Sequence, residues 1–348
     1  MKFNITTFGC KANQYDSYAI TEYMRENADN AGFGESVHVI NSCTVTETAD
    51  RKIAALIAKL KREKPCCTVV LCGCLPKAYP EKAAAMGADV VIAGKFPISP
   101  ATALVNPLPY SPQRDRKRAF LKIQDGCNRD CAYCIIPKAR GNPVSRPIAD
   151  IAAEAQSLAA NHSEIMITGI NLALYAYEEH GLVGAVEAIC KALESKTVPV
   201  RIGSLEPDLL SDTDITRLAQ IPKTQLRRHF HLSLQSGCDA VLHRMNRRYD
   251  TAQYRSKIAS LRGAFGANVA ITTDIIVGFP GETQAEFAQT LAFVQEMGFA
   301  KIHVFRFSAR EGTAAASMAK QIAPSEKKAR FTALSEFAGT GKRVEDLG

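Results

Sequence analysis

Eleven cysteines stand among the 348 residues of this chain, and three of them fall in one run, Cys127-Asn-Arg-Asp-Cys131-Ala-Tyr-Cys134. A C-x-x-x-C-x-x-C spacing delivers three thiolates from a single short loop. A cubane [4Fe-4S] cluster ordinarily takes four cysteines, so three protein ligands leave one iron open to bind a substrate, as catalytic zinc sites keep a position that structural ones fill. The other reading is a zinc site completed by a distant cysteine or histidine. Zinc sites usually pair one C-x-x-C with a second, and no second half lies nearby. Three more cysteines, Cys10, Cys43 and Cys74, each follow closely on an apolar strand candidate. Singly, each reads as a small buried filler. As a set at carboxyl ends of strands, they lie where open α/β sheets bind ligands.

Other segments carry weaker chemical signals. Ile167-Thr-Gly169-Ile-Asn171, Ser204-Leu-Glu206 and Leu234-Gln235-Ser-Gly237 all end apolar strands, the place where barrel enzymes put functional residues. A glycine there lets backbone approach a ligand closely, and it also makes an ordinary turn. Asp274 to Thr283, with Gly278, Pro280 and Gly281, has neither the lysine nor the spacing of a Walker loop. Arg140 and Arg146 follow the cysteine run and offer cations to a carboxylate or phosphate. Cys66, Cys67, Cys72, Cys190 and Cys238 read as fillers or surface thiols. Cys72, two residues before Cys74, is expected on the same side of an extended strand.

These residues need elements to hold them. The first segment alternates strand and helix: strands at Phe3–Phe8, Val37–Asn41 and Thr68–Leu71, helices at Asp16–Asn27 and Ala49–Glu63. That order predicts a parallel sheet. Residues 1–105 form the expected amino-terminal cluster-binding α/β domain, and the proline-rich, basic stretch 106–118 a linker. Residues 119–340 follow with six strand candidates, Phe120–Ile123, Glu164–Thr168, Val200–Ile202, Phe230–Leu234, Ala270–Val277 and Lys301–Phe305. Helical patterns separate them, among them Ile148–Ala160, Tyr254–Phe265 and Glu286–Met297. A closed barrel needs eight strands and ~250 residues, so the fold class is α/β, an open parallel sheet followed by a (β/α)6 partial barrel.

Composition sets the compartment and the partners. The net charge of +8 gathers in Arg114–Arg118, Arg227–His229, Arg244–Arg248 and Lys327–Arg330, which suits a polyanion as well as a solvated surface. The start lacks a signal-peptide core, and no stretch approaches the ~20 apolar residues of a membrane span. The expected location is the cytoplasm, where an odd number of cysteines reads as metal ligands or catalytic thiols.

With its aromatic Tyr133 before the last cysteine, the run Cys127 to Cys134 resembles the signature of the radical S-adenosylmethionine enzymes. Gly9-Cys10-Lys-Ala-Asn-Gln-Tyr-Asp-Ser17, Asn41-Ser-Cys43-Thr-Val-Thr46 and Gly73-Cys74 resemble the three ligand motifs of the methylthiotransferases in that family. The resemblance covers nearly the whole chain. It implies two [4Fe-4S] clusters, one on Cys10, Cys43 and Cys74 and one on Cys127, Cys131 and Cys134, with S-adenosyl-L-methionine on the open iron of the second. It places Tyr133, Gly169, Asn171, Ser204, Glu206, Gln235 and Gly278 around that cofactor. One S-adenosylmethionine would methylate a sulfur on the amino-terminal cluster; a second would give the radical that takes hydrogen from C2 of an adenine, a C–H with no acidic proton for a side-chain base.

Leu121-Lys-Ile-Gln-Asp-Gly-Cys127 and His303-Val-Phe-Arg-Phe-Ser-Ala-Arg-Glu-Gly-Thr313 look most like the enzymes acting on N6-threonylcarbamoyladenosine in tRNA. Relatives act on isopentenyladenosine in tRNA or on an aspartate of a ribosomal protein, and a non-catalytic iron-sulfur or zinc nucleic-acid-binding module is the reading from another class. Expected partners are the tRNA anticodon loop, where unstacked bases can be read, a one-electron donor such as flavodoxin or ferredoxin, and a sulfur source. Family members continue into a small RNA-gripping β-barrel of the TRAM type; residues 341–348 would be its start, and the sequence ends there.

Overall fold

The computed structural model describes residues 2–26, 35–94, 96 and 117–339. The expected linker at 106–118 falls outside these except for its last two residues, and the segment 341–348 falls wholly outside. Two compact units result, Met1–Asn128 with Ile135–Ile170, and Arg129–Cys134 with Asn171–Gly348.

The first unit is built on a four-stranded parallel sheet in sequence order, β1 (Lys2–Thr7), β2 (Ser36–Ser42), β3 (Thr68–Gly73) and β4 (Val90–Val91). Thr7 registers with Asn41, and Asn41 with Cys72. Strand alternation sends Ile40, Val69 and Leu71 into one apolar cluster and Val37, Val39, Val70 and Cys72 into another. Both faces are therefore apolar, as a parallel sheet flanked by helices requires. The helix Glu47–Glu63 starts where the Thr46 side chain accepts from the Ala49 amide, carries Glu47 and Asp50 in its first turn, and buries Ile53, Ile57 and Leu60 one turn apart. The same unit holds β5 (Arg118–Lys122), paired in parallel with β8 (Glu164–Thr168), and a short antiparallel ribbon of β6 (Gln124–Asp125) and β7 (Val144–Ser145) that brackets the loop after Cys127.

The second unit opens with a hairpin of β9 (Ala176–Tyr177) and β10 (His180–Gly181) and the short β11 (Val200–Ile202), bridged to Leu226. Its main sheet is parallel, β12 (Ser204–Leu205), β13 (His229–Leu232), β14 (Ala270–Val277) and β15 (Lys301–Arg306). Helices Asp212–Gln220, Thr251–Phe265 and Gln284–Met297 each begin with a capping box, Ser211/Asp214, Asp250/Gln253 and Thr283/Glu286. Such boxes satisfy orphan amides at a helix start and fix where it begins. All six strand candidates of the carboxyl-terminal region are strands.

Candidate metal centre

The three amino-terminal thiols are carried by strand ends of one sheet. β1 runs through Gly9 into Cys10, β2 into Cys43 and β3 through Gly73 into Cys74, which opens the short helix Cys74–Ala78. Gly9 and Gly73 have φ of +103° and +93°, values that L side chains rarely adopt. Close approach is the second reason for glycine. A Cβ on Gly9 would lie 2.7 Å from Cys43 Cβ, and one on Gly73 would lie 2.5 Å from Asn41 Oδ1 and 2.6 Å from the Ser42 backbone. The turn at Gly73 also settles the Cys72 question. It breaks the strand alternation, so Cys72 packs in one apolar cluster, its thiol 3.6 Å from Ile40 O, and Cys74 in the other, while both still border the same cleft.

Polar residues of the same motifs lock the loops together. Asn13 donates to Phe8 O (2.8 Å) and Ser42 O (2.9 Å); Asn41 donates to Asn13 O (2.8 Å) and Ser17 Oγ (2.9 Å); Ser42 Oγ donates to Cys72 O and accepts from Leu75 N at 3.2 Å. Cys43 and Cys74 are buried and Cys10 is exposed. Burial, reinforced by the neighbouring Cys74 and Cys10, pushes the Cys43 thiol up to about 11. Burial also raises Cys74, against the pull of Arg140. Three cysteine sulfurs at neighbouring strand ends form an all-sulfur donor set, the kind that iron-sulfur clusters take, and a bound metal would deprotonate the buried thiols that burial keeps neutral. The donor set fits an iron-sulfur cluster, and all three cysteines are free of disulfides.

Beside them, within the same unit, lies a cleft of about 150 Å³ lined by Cys74, Gly73, Asn41, Asp16, Lys122, Asp125 and Arg140, among others. Arg140 donates from Nε to Cys74 Sγ (3.4 Å) and from Nη1 to both Asp125 oxygens (3.0 Å each), and its Nη2 meets Asp16 Oδ2 at 2.9 Å and Asn13 Oδ1. Lys122 pairs with the same Asp16 and, at 3.0 Å, with Asp125. Burial alone would push the Lys122 ammonium down; Asp125 and Asp16 outweigh it and hold it above its ordinary value. Arg146, the second arginine after the cysteine run, is 1% exposed, and its Nη1 meets Glu154 at 2.6 Å, Tyr15 OH at 3.1 Å and Lys122 O at 2.9 Å. Both arginines thus neutralise carboxylates of the protein itself.

Of the second cysteine run, Cys127 belongs to the first unit and its amide donates to Gly141 O at 2.9 Å. Gly126 before it, at φ +75°, leaves no room for a Cβ, which would lie 2.0 Å from Asn142 O. Cys131 and Cys134 belong to the second unit. There the Cys134 amide bonds Cys131 O (2.9 Å), Ala132 is held by Met245 O (2.9 Å), and Arg247 Nη1 donates to Cys131 Sγ at 3.1 Å. Tyr133 packs against Phe279, Phe307 and Met245, and burial raises its phenol well above the ordinary value.

The expected cofactor contacts divide. Glu206 is buried and bonded by Arg129 Nε (3.0 Å), Arg247 Nη2 (2.9 Å) and Asn171 Nδ2 (2.7 Å), so Glu206 and Asn171 meet in one network beside Cys131. Ser204 is exposed on β12 in register with His231. Gln235, at φ +72°, is clamped between Asp274 O and Ile276 N on β14. Gly278, also at φ +72°, gives its amide to Glu282 at 2.6 Å, and a Cβ there would strike Lys327 Cγ at 2.4 Å. Gly169 follows β8 in the first unit.

Sequence reasoning missed two things. His231, Asp274 and His303, on β13, β14 and β15, bring their ligand atoms within 4.8 Å of one another, with His231 Nδ1 against Thr272 Oγ1 at 3.0 Å. Alternation on neighbouring strands was the available signal. The basic clusters are also less open than expected. Arg228 is spent on Leu218 O and Ile221 O, Arg244 on Glu286, Arg247 on Glu206, Arg248 on Asp130 and Arg330 on Glu282. Arg244, Arg247 and Arg330 meet carboxylates remote in sequence, Arg228 meets nearby backbone carbonyls, and Arg248 stays largely exposed beside Asp130.

Two family models match the chain, Radical SAM superfamily over residues 121–294 and Uncharacterized protein family UPF0004 over residues 2–94. Threonylcarbamoyladenosine tRNA methylthiotransferase MtaB of Thermotoga maritima is 34% identical over 96% of this chain and 81% of its own length, and its Bacillus subtilis counterpart is 33% identical over 95% and 79%. The tRNA-2-methylthio-N(6)-dimethylallyladenosine synthase of Alkaliphilus oremlandii is 33% identical over 96% and 77%. Among solved structures, the radical S-adenosylmethionine methyltransferase TsrM of Kitasatospora setae, with cobalamin and a [4Fe-4S] cluster bound, superposes with a TM-score of 0.63 at 12% identity over 91% of this chain and 74% of that one, a likeness of fold. No helix among the described residues is long and apolar enough to cross a membrane. A cysteine-bearing parallel sheet followed by the radical motif, in a chain matched over nearly its whole length by these enzymes, makes it a member of the radical S-adenosylmethionine methylthiotransferases that modify tRNA.

Proposed function

We propose that this chain methylthiolates C2 of N6-threonylcarbamoyladenosine beside the anticodon of tRNA, with one [4Fe-4S] cluster on Cys10, Cys43 and Cys74, a second on Cys127, Cys131 and Cys134, and S-adenosyl-L-methionine. The observation that carries the two-cluster reading is the placement of three thiols at adjacent strand ends, two of them desolvated, with an arginine against one. When bound, the clusters and S-adenosylmethionine supply electron transfer, a carbon radical and the sulfur to be moved. The chain's own residues hold and insulate. Gly9 and Gly73 let the loops close, Asn13, Asn41 and Ser42 fix them, and Arg140 meets the charge on Cys74. Arg247, braced by Glu206, does the same at Cys131, and Glu206, Asn171, Ser204, Gln235, Gly278, Gly169 and Tyr133 are the proposed surroundings of S-adenosylmethionine. A flavodoxin or ferredoxin as electron donor, a separate sulfur source and a cytoplasmic location belong to the same reading, as does a functional division into 1–105 and 119–340.

Three relatives, 34%, 33% and 31% identical to this chain, carry the threonylcarbamoyladenosine name, which favours that substrate. The 33% identity to a dimethylallyladenosine synthase supports a second reading, the isopentenylated base. The deciding experiment reconstitutes the protein anaerobically to about eight irons per chain, as two cubanes require, and supplies each tRNA in turn with S-adenosylmethionine and reductant. Methylthiolated threonylcarbamoyladenosine with 5′-deoxyadenosine is the expected result. Product from the isopentenylated tRNA alone would transfer the assignment, and folded protein that loads only about four irons would remove the second cluster.

A further inference from the structure

Arg140 sits where two sets of contacts meet. Its guanidinium gives Nη1 to Asp125, Nη2 to Asp16 and Asn13, and Nε to Cys74 Sγ at 3.4 Å. The next residue, Gly141, turns at φ +75° and accepts the Cys127 amide on its carbonyl at 2.9 Å. Two consecutive residues thus touch one thiol of the amino-terminal triad and the backbone of the first cysteine of the radical motif, all within the first compact unit. The side chain is only 8% exposed and is always charged. With Lys122 it balances Asp16 and Asp125, two cations against two anions. A guanidinium there for surface solvation alone would not be buried, and one needed only to pair the carboxylates would not aim its third nitrogen at sulfur.

We propose that Arg140 is a positioning residue of the amino-terminal centre, fixing Cys74 by a charge-assisted hydrogen bond and setting the reduction potential of a cluster held there. This rests on the reading that Cys10, Cys43 and Cys74 hold a cluster. Reduction adds negative charge to a cluster, and both net charge and hydrogen bonds to its sulfurs set its potential. A cation donating to a ligand sulfur stabilises the reduced form and raises the potential. Loss of Arg140 leaves Asp16 and Asp125, among the described residues, with Lys122 as the cation paired to both, adding net negative charge beside the thiolates. Both effects lower the potential. Lysine retains the charge and loses the fork that reaches sulfur and two carboxylates together.

The test uses the full chain with Cys127→Ala, Cys131→Ala and Cys134→Ala, which leaves one cluster to observe. Anaerobic redox titration followed by EPR and visible absorption gives its midpoint. Arg140→Gln is expected to change the oxidised-to-reduced ratio at fixed potential at least tenfold toward oxidised, about 59 mV for one electron. Arg140→Lys should fall between Gln and the parent, and Asp16→Asn, which removes an anion and leaves the arginine, should shift the opposite way. Folded Arg140→Gln that no longer retains iron where Arg140→Lys does supports the same role. Unchanged potentials in Arg140→Gln with a full iron count, or a downward shift in Asp16→Asn, overturn the proposal. A parent that binds no iron overturns it too, by removing the cluster on which it rests; failure of the reading shows in the parent, failure of the inference only in the variants.

Discussion

Gly73→Ala is the substitution whose cost the geometry defines most closely. The residue has φ +93° and ψ −147°, in the region open essentially to glycine alone, where another residue costs about 1–3 kcal/mol. The added methyl would lie 2.5 Å from Asn41 Oδ1 and 2.6 Å from Ser42 N and O. Two of these atoms are backbone of β2, and the third belongs to an asparagine held by Asn13 and Ser17. None is the free end of a flexible chain, so relief requires moving the β2–β3 junction, and overpacking of this kind costs about 1–3 kcal/mol more. Gly87→Ala is the internal control, because Gly87 has φ +81° with nothing within 4 Å of a Cβ; only the backbone term of about 1–2 kcal/mol applies. At ~2–4 °C per kcal/mol for a domain of 150–250 residues, Gly73→Ala should lose on the order of 10 °C in thermal unfolding of the anaerobic protein, and Gly87→Ala roughly a third of that. Iron loading should fall only in the former, since Cys74 is the next residue. Equal losses in both variants, with equal iron, would refute the reasoning that close approach to β2 requires this glycine.

Arg146→Met leaves the buried Glu154 with the neutral Tyr15 hydroxyl in place of an ion pair, and breaking a buried pair costs about 3–5 kcal/mol; urea unfolding of the variant should show it, while Tyr15→Phe costs less, about 1–3 kcal/mol. Arg247→Gln removes the donor to Cys131 and one partner of Glu206, so S-adenosylmethionine cleavage should drop at least tenfold, with the amino-terminal centre retaining its iron by metal analysis. Burial pushes the Cys190 thiol up to about 12, leaving on the order of one thiolate in 10⁴ at pH 8; iodoacetamide should therefore modify the exposed Cys66 and spare Cys190 in folded protein. Raising the pH toward 10 should increase Cys190 labelling in proportion to hydroxide if the fold holds, and mass spectrometry reads both sites.

Much of the scaffold was legible because its signals are local. Apolar runs such as Ala270–Val277 need no partner to be recognised, and a cysteine directly after such a run declares its place at a strand end. The charge network was not legible, because its members are remote. Tyr15 and Glu154 are 139 residues apart, Arg140 and Asn13 127 apart, and nothing in a sequence window links them. For the same reason Arg244 to Arg248 read as a basic patch when three of its arginines face Glu286, Glu206 and Asp130. The position of Cys74 relative to Cys72 failed for a local cause, the positive φ of the intervening Gly73, which ends the period-two alternation that would place both thiols on one side.

Each of Cys10 and Cys74 is delivered by the same small device, a strand, a glycine turned to positive φ and a helix that begins at or just after the thiol. The strand fixes the thiol from behind and the helix from ahead, so its position depends little on what happens at the opposite end of the sheet. At that far end the exposed turn at residues 64–66 before β3 is where length can vary at least cost to the centre, whereas the segment 85–89 packs Met86 and Ala88 on the core and is tied to Val69 by Asp89. The sheet thus has a working edge and a permissive edge, and an affinity tag or fluorescent reporter grafted at the permissive one would travel with the protein while leaving its metal-bearing edge as it was.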